Sequence, residues 1–264
     1  MTSLRQALML GDRGVVSLVG AGGKTNLMFK LAHELSLTGE SVLTTTTTKI
    51  YEPRPDQSPC VIVSDSVTEL LNEAQRLVGR HLHITMAHQR LPDEGKLIGL
   101  SPDAVDAIWK RNLFRWIVVE ADGAAGRPLK APADHEPVIP ASTNWLVGCA
   151  GLTGIGQPLN DQWVFRPERF ARLTGIPPDS RIKANAVADV IAHPDGLFKS
   201  ASKSATRIAF LNQADTPQHH AAGQQIARLL TEKFCPGLKR IVIGQARMDS
   251  PVLEIHDLRS KSQW

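Results

Sequence analysis

The sequence predicts an α/β fold: a mostly parallel twisted sheet flanked by helices in a three-layer sandwich. Three observations predict it. Short apolar runs rich in Val and Ile recur along the chain, and longer segments of helical periodicity separate them. A Gly-, Pro- and Ala-rich stretch at 121–140 directly follows one of these runs, where an open parallel sheet presents its ligand-binding carboxyl edge.

The apolar runs place strands at 15–19, 42–45, 60–63, 116–119, 144–147, 207–211 and 240–243. Helical periodicity places helices at 24–37, 67–78, 102–110, 181–192 and 218–233. Ser101-Pro102 opens one of them, because serine caps and proline is tolerated in the first turn. One domain over residues 1–264 is expected, with a lid or small insertion around the Gly- and Pro-rich segment 151–178.

Composition narrows the function classes. With 42% apolar and 21% charged residues the chain is an ordinary globular protein. The apolar N-terminal stretch is broken at Gly11, so no secretory signal is expected, and no run reaches the roughly 20 residues that span a bilayer. Cys60, Cys149 and Cys235 are far apart and odd in number, which argues against disulfides and zinc and fits a reducing cytoplasm. The net charge of +4 favours anionic ligands. Lys and Arg are nevertheless scattered, and a single Tyr leaves little for base stacking, so nucleic acid is not an expected partner.

The candidate site begins at Gly20-Ala21-Gly22-Gly23-Lys24-Thr25-Asn26, between an apolar strand and an amphipathic helix. Glycines there let backbone amides converge on phosphate oxygens, and the helix N-terminus adds its positive dipole end. Lys24 is expected to neutralise the β- and γ-phosphates of ATP or GTP, and Thr25 to bind Mg²⁺. The spacing G-x-x-G-K-T is tighter than G-x-x-x-x-G-K-[ST], which would need glycine at Leu18, and is similar to the ATP loop of the Mur ligases. It implies a P-loop NTPase-like sandwich.

Five threonines, 44–48, precede Lys49; alternation points Thr44, Thr46 and Thr48 to one face, expected beside the phosphate loop, with Thr48 and Lys49 nearest the ligand. An apolar strand then ends in Glu120 and Asp122, spaced to face one way. Either can hold the metal, with Asp122 and Thr25 as the expected ligands, or orient an attacking group, so Lys24, Glu120 and Asp122 form the catalytic set. Arg127 and Lys130 follow on a loop suited to close over an anion, and His135 with Glu136 offers proton chemistry or a structural pair. Asn212-Gln213-Ala214-Asp215 resembles the N-K-x-D base-reading element of GTPases, with Gln213 in place of lysine; Asp215 or Thr216 is equally suited to cap the next helix. Histidine pairs 81/83 and 219/220 lack a third ligand and read as structural.

Together, V-V-S-L-V-G-A-G-G-K-T, V-L-T-T-T-T-T-K-I, G-K-L-I-G-L-S-P-D, V-V-E-A-D-G-A-A-G-R-P-L-K-A-P-A-D-H-E-P-V-I-P and L-N-Q-A-D resemble the YqeC family across nearly the whole chain. The resemblance implies an accessory role for selenium-dependent molybdenum hydroxylases, with a molybdopterin-type cofactor, the hydroxylase or its maturation enzymes as partners. Three readings follow from residues and resemblance: an Mg-dependent NTPase or transferase, a non-catalytic chaperone gripping a molybdopterin dinucleotide, and a small-molecule kinase.

Overall fold

The computed structural model describes residues 2–233 and 235–258. A short helix α1 (Leu4–Ala7), boxed by Ser3 and Gln6, leads to β1 (Gly14–Gly20), whose every residue is buried. The glycine-rich segment 21–23 connects β1 to α2 (Lys24–Leu37), and α2 feeds β2 (Val42–Thr46) and the short β3 (Lys49–Tyr51). Next come β4 (Val61–Val63), α3 (Val67–Leu77), β5 (His83–Ala87), β6 (Gln89–Leu91), β7 (Lys96–Ile98), α4 (Pro102–Lys110) and β8 (Trp116–Glu120). The second half holds β9 (Leu129–Lys130), β10 (Thr143–Gly151), β11 (Val164–Phe165), α5 (Pro167–Thr174), α6 (Ala184–Ala192), β12 (Thr206–Asn212), α7 (Pro217–Glu232), β13 (Leu238–Gly244) and β14 (Val252–Asp257).

Among the described residues, nine strands form one sheet in the order β14-β13-β12-β10-β1-β8-β2-β5-β4, all parallel except the edge strand β14. The central strands show why the layers are three. Alternate side chains of β1 part to opposite faces: Val15 and Val19 join a core with Leu70, Val105, Val187 and Ile226 of α3, α4, α6 and α7. Val16 and Leu18 join another with Leu8, Leu27 and Leu31 from the α1–α2 side. A strand whose side chains are apolar except Ser17 is thereby buried on both faces. Capping fixes the helix starts as the sequence indicates: Ser101 accepts from the amide of Ala104 ahead of α4, and Thr216, not Asp215, accepts from that of His219 ahead of α7.

The structure corrects several expectations. β2 does not lie next to β1: β8 is inserted between them, pairing Leu18 with Glu120 on one side and Thr46 with Glu120 on the other. β5 and β14 were absent from the apolar-run reading, since His83-Ile84-Thr85-Met86-Ala87 mixes polar residues into a strand and Val252–Asp257 is only half covered. Within 151–178, where a lid or small insertion was expected, β11 pairs with β9 and α5 is a helix. The helix read at 181–192 begins at Ala184.

The threonine tract also has a structural explanation. The Thr44 hydroxyl lies 2.7 Å from that of Thr85 and 2.9 Å from Nε2 of His83. Thr45 donates to the Met86 carbonyl, Thr46 to that of Glu120, and Thr47 to that of Val138, each at 2.8 Å. These hydroxyls knit β2 to its neighbours and to the 123–142 connection, satisfying polar groups that burial would otherwise penalise.

His83 is 4% exposed in this polar seam, and burial, with a smaller push from His33, lowers its pKa from 6.5 to about 4. It therefore folds neutral, while the unfolded chain takes up a proton below 6.5. Its contribution is complete above the unfolded value and is lost as pH falls toward 4. Unfolding by urea at a series of pH values should show about 3 kcal/mol of stability lost across that window, and His83→Gln should flatten the dependence.

Candidate phosphate-binding site

β1 ends at Gly20, and the chain turns through Gly20 (φ +91°), Gly22 (φ +80°) and Gly23 (φ +111°) into α2. These left-handed conformations suit glycine. At Gly22 space forbids a side chain as well, since a Cβ would stand 2.4 Å from the backbone of Gly151 and 2.7 Å from the Pro128 carbonyl. The first half of the loop is closed to ligands. The Gly20 amide donates to Asp122 Oδ2 (2.9 Å), Ala21 to the Cys149 carbonyl (2.9 Å) and Gly22 to the Arg127 carbonyl (3.2 Å). The expected cradle over the whole of 20–25 is thus narrower, because buried amides need partners and the end of β10 and the 123–128 loop supply them. What remains is the start of α2. Gly23, its N-cap, carries no side-chain cap, and the first turn of a helix leaves its amides without intrahelical acceptors. Gly23, Lys24, Thr25 and Asn26 all line a cavity of about 650 Å³.

Lys24 is turned inward, its side chain 3% exposed. Its ammonium donates to the Gly20 carbonyl (2.6 Å) and lies 3.2 Å from Asp122 Oδ1 and 3.6 Å from Glu120 Oε1. Burial works against its charge, but the two carboxylates outweigh it and raise the pKa above the ordinary lysine value. From Asp122 the charges alternate onward: Lys130 Nζ at 3.1 Å, Glu136 at 2.9 Å from Lys130, and Arg166 at 2.5 Å from Glu136. Burial pulls the Glu136 carboxyl upward, yet its hydrogen bonds from Arg166 and Lys130 hold it down to about 2.

This network relocates three expected residues. Lys130, predicted on a ligand-closing loop, is 1% exposed and committed to Asp122, Glu136 and the Gly123 carbonyl. Glu136 is a structural counter-ion, separated in environment from the exposed His135. Of the two strand-end carboxylates, Glu120 and not Asp122 meets Thr25, whose hydroxyl donates to Oε2 at 2.6 Å. Burial raises the Glu120 pKa above the usual carboxylate range, against the opposing pull of Lys24.

The cavity walls come from both sides of β1. Lys49, Tyr51 and Lys96 stand on the β2 side, 123–127 forms a wall that includes Arg127, and Gln213 and Arg247 stand at the β12–β13 side. Asn212 braces the loop: its Nδ2 donates to the Gly22 carbonyl (2.7 Å) and its Oδ1 accepts from the Ala246 amide (2.8 Å). Asp215 is exposed beyond the wall, and Thr48 is spent beside the Thr46 hydroxyl (3.2 Å). Tyr51, Lys96, Arg166 and Arg247 were not singled out from sequence. The alternation Lys49-Ile50-Tyr51 carried a signal for the first, whereas Arg166 reaches the network only through tertiary packing.

Asn212→Ala should leave a buried carbonyl and a buried amide unpaired and lower unfolding stability by about 2 kcal/mol. Gly22→Ala should cost more, because strain and overlap with Gly151 add; comparing the two denaturant midpoints checks the order.

Three likenesses to known proteins accompany this geometry. The family model described as YqeC protein matches residues 16–168. A protein of Escherichia coli (strain K12) with the name "Uncharacterized protein YqeC" is 34% identical over 218 residues, 83% of this chain and 83% of that one. Among solved structures, that of FtsY from Mycoplasma mycoides is similar over 95% of this chain and 70% of its own, at 15% identity and a TM-score of 0.39. The family model spans the strand-loop-helix and the acidic strand end, the relative covers most of the chain, and the chain belongs to the YqeC family.

Proposed function

We propose that this protein binds a nucleoside triphosphate, ATP or GTP, with Mg²⁺, its phosphates resting on the start of α2. The observation that carries the reading is an uncapped helix N-terminus, at the carboxyl end of a central parallel strand, lining a large cavity with a lysine, a threonine and a carboxylate at its floor. Anions are favoured there by amides and dipole together. The FtsY likeness adds nothing to this reading.

The residues fit a hard cation. The Thr25 hydroxyl and Glu120 carboxylate meet at the cavity floor, and among the described residues no cluster of three His, Cys, Asp or Glu side chains stands ready to bind a metal alone. A cation there needs phosphate oxygens to complete its shell, as Mg²⁺ commonly does. When bound, Mg²⁺ supplies charge neutralisation at the β- and γ-phosphates. Thr25 and Glu120 would hold the cation, in place of the pair Thr25 and Asp122 expected from the sequence. Asp122 instead positions the loop through the Gly20 amide. When Lys24 exchanges the Gly20 carbonyl for a phosphate oxygen, Asp122 keeps Lys130 as its cation and is not stranded.

Asn212 braces the loop and Gln213 and Arg247 line the far wall, which supports a base seated there, with Asp215 exposed outside the lining. The role in maturing a selenium-containing molybdenum cofactor of hydroxylases is supported by the family resemblance. A second reading, a module that grips a molybdopterin dinucleotide without turnover, is favoured by one observation: Asp122 and Lys24 are already neutralised by protein partners, leaving Glu120 as the single strand-end carboxylate on the cavity.

Calorimetry with Mg-ATP and Mg-GTP should show binding to the wild type, and Lys24→Ala should weaken it by roughly ten- to a hundredfold. The same variant leaves Glu120 buried without its cation, while Asp122 keeps Lys130, and should lose about 3 kcal/mol of stability in urea unfolding. Phosphate release distinguishes the readings: turnover favours the enzyme, and binding of a dinucleotide without turnover the module. No heat with either triphosphate would overturn the nucleotide reading.

A further inference from the structure

We propose that the outward face of the small antiparallel sheet β3-β7-β6 is a second subsite, holding a small acidic molecule with phosphate or carboxylate groups beside the triphosphate. The inference rests on the nucleotide reading above and names the kind of co-substrate its cavity admits.

The face follows from strand alternation. Ile50 of β3 and Leu97 of β7 are 5% and 0% exposed and join the core on the α2 side. Lys49 and Tyr51 flank Ile50, and Tyr51 pairs directly with Lys96, so all three project from the opposite face. That face lines the same cavity as Lys24, Thr25 and Glu120. Its placement is rigid. The amides of Gly99 and Leu100 donate to the carbonyls of Thr48 and Thr46, each at 2.8 Å, and a Cβ at Gly99 would lie 1.8 Å from the Thr46 oxygen. The small sheet is therefore tied against the end of β2.

The strand order assigns the sides. β10, β12 and β13 lie on one side of β1 and carry the wall with Gln213 and Arg247, whereas β8 and β2 lie on the other. A nucleotide with its base toward Gln213 leaves the Lys49, Tyr51 and Lys96 face on the flank where Thr25 meets Glu120. The chemistry on offer there is two ammonium groups around an aromatic ring that is 72% exposed, with Lys96 Nζ 5.5 Å from the ring centroid. Glu94 pairs with both lysines, at 2.8 Å from Lys96 and 3.7 Å from Lys49. Those pairs are open to water and weakly held, so an incoming anion competes with a single carboxylate for two cations. Across the cavity Arg127 spends its hydrogen bonds on the carbonyls of Ala125 and Asp161, which leaves a further positive charge facing the space.

The test uses the full-length protein saturated with Mg²⁺ and a non-hydrolysable triphosphate, titrated at low salt with 3-phosphoglycerate as the probe and read by calorimetry and saturation-transfer NMR. The wild type should bind the probe, and Lys49→Ala/Lys96→Ala should weaken it by roughly tenfold or more. Tyr51→Ala and Lys96→Ala alone should each weaken it too, while their triphosphate affinity changes by less than about twofold. Substitutions at these outward positions leave the fold intact, which circular dichroism checks. The inference is overturned if the wild type does not take the probe, if the lysine variant takes it equally well, or if triphosphate affinity falls in step with probe affinity, which assigns the lysines to the nucleotide. Failure of the nucleotide reading is a separate result: the triphosphate then gives no heat with the wild type, and the probe titrated alone still reports whether its binding depends on Lys49 and Lys96.

Discussion

The ammonium of Lys24, buried between Asp122 and Glu120, is the interaction on which the rest of this architecture turns. It joins the first turn of α2 to the end of β8 across the glycine loop, and it works only because β8 is the immediate neighbour of β1. An isolated charge at 3% exposure is untenable, and even a single ion pair in such a place barely offsets its desolvation. The protein answers with alternation. Lys24, Asp122, Lys130, Glu136 and Arg166 run in sequence of sign, with Glu120 as a second counter-ion, so every buried charge has an opposite neighbour within 3.6 Å.

That chain of charges explains features distant from the loop. The strand pair β9–β11 exists where Lys130 must be held for Asp122, and Arg166, at the N-cap of α5 with φ +65°, is positioned to close the chain on Glu136. The segment 151–178 is thereby connected by electrostatics to the floor of the cavity. A ligand that draws Lys24 toward itself perturbs a network that extends from the α2 start to α5.

The polar residues of the central sheet obey the same constraint in neutral form. The threonine tract of β2 satisfies carbonyls and hydroxyls of β5, β8 and the following connection, and His83 remains neutral inside that seam. Hydroxyl-rich sequence beside a phosphate loop invites a ligand-binding interpretation. Here the insertion of β8 between β1 and β2 places Glu120 nearer the loop and leaves Thr44 through Thr47 to structural work.

Local patterns were legible because their causes are local. The apolar runs of β1 and β8, the periodicity of α2, the Ser101 cap and the glycines of the loop each express a rule that acts within a few residues, and they made the fold class, the strand-loop-helix and the acidic strand end readable. Strand order was not legible, since parallel strands are joined by helices and nothing in 42–48 says which strand lies between it and β1. Nor was the destination of a charged side chain. Lys49 and Lys130 both read in sequence as cations beside the ligand, yet one is exposed on the cavity wall and the other is 1% exposed inside the network. Which lysine meets solvent and which meets a carboxylate depends on elements brought together from far along the chain, and only the tertiary structure decides it.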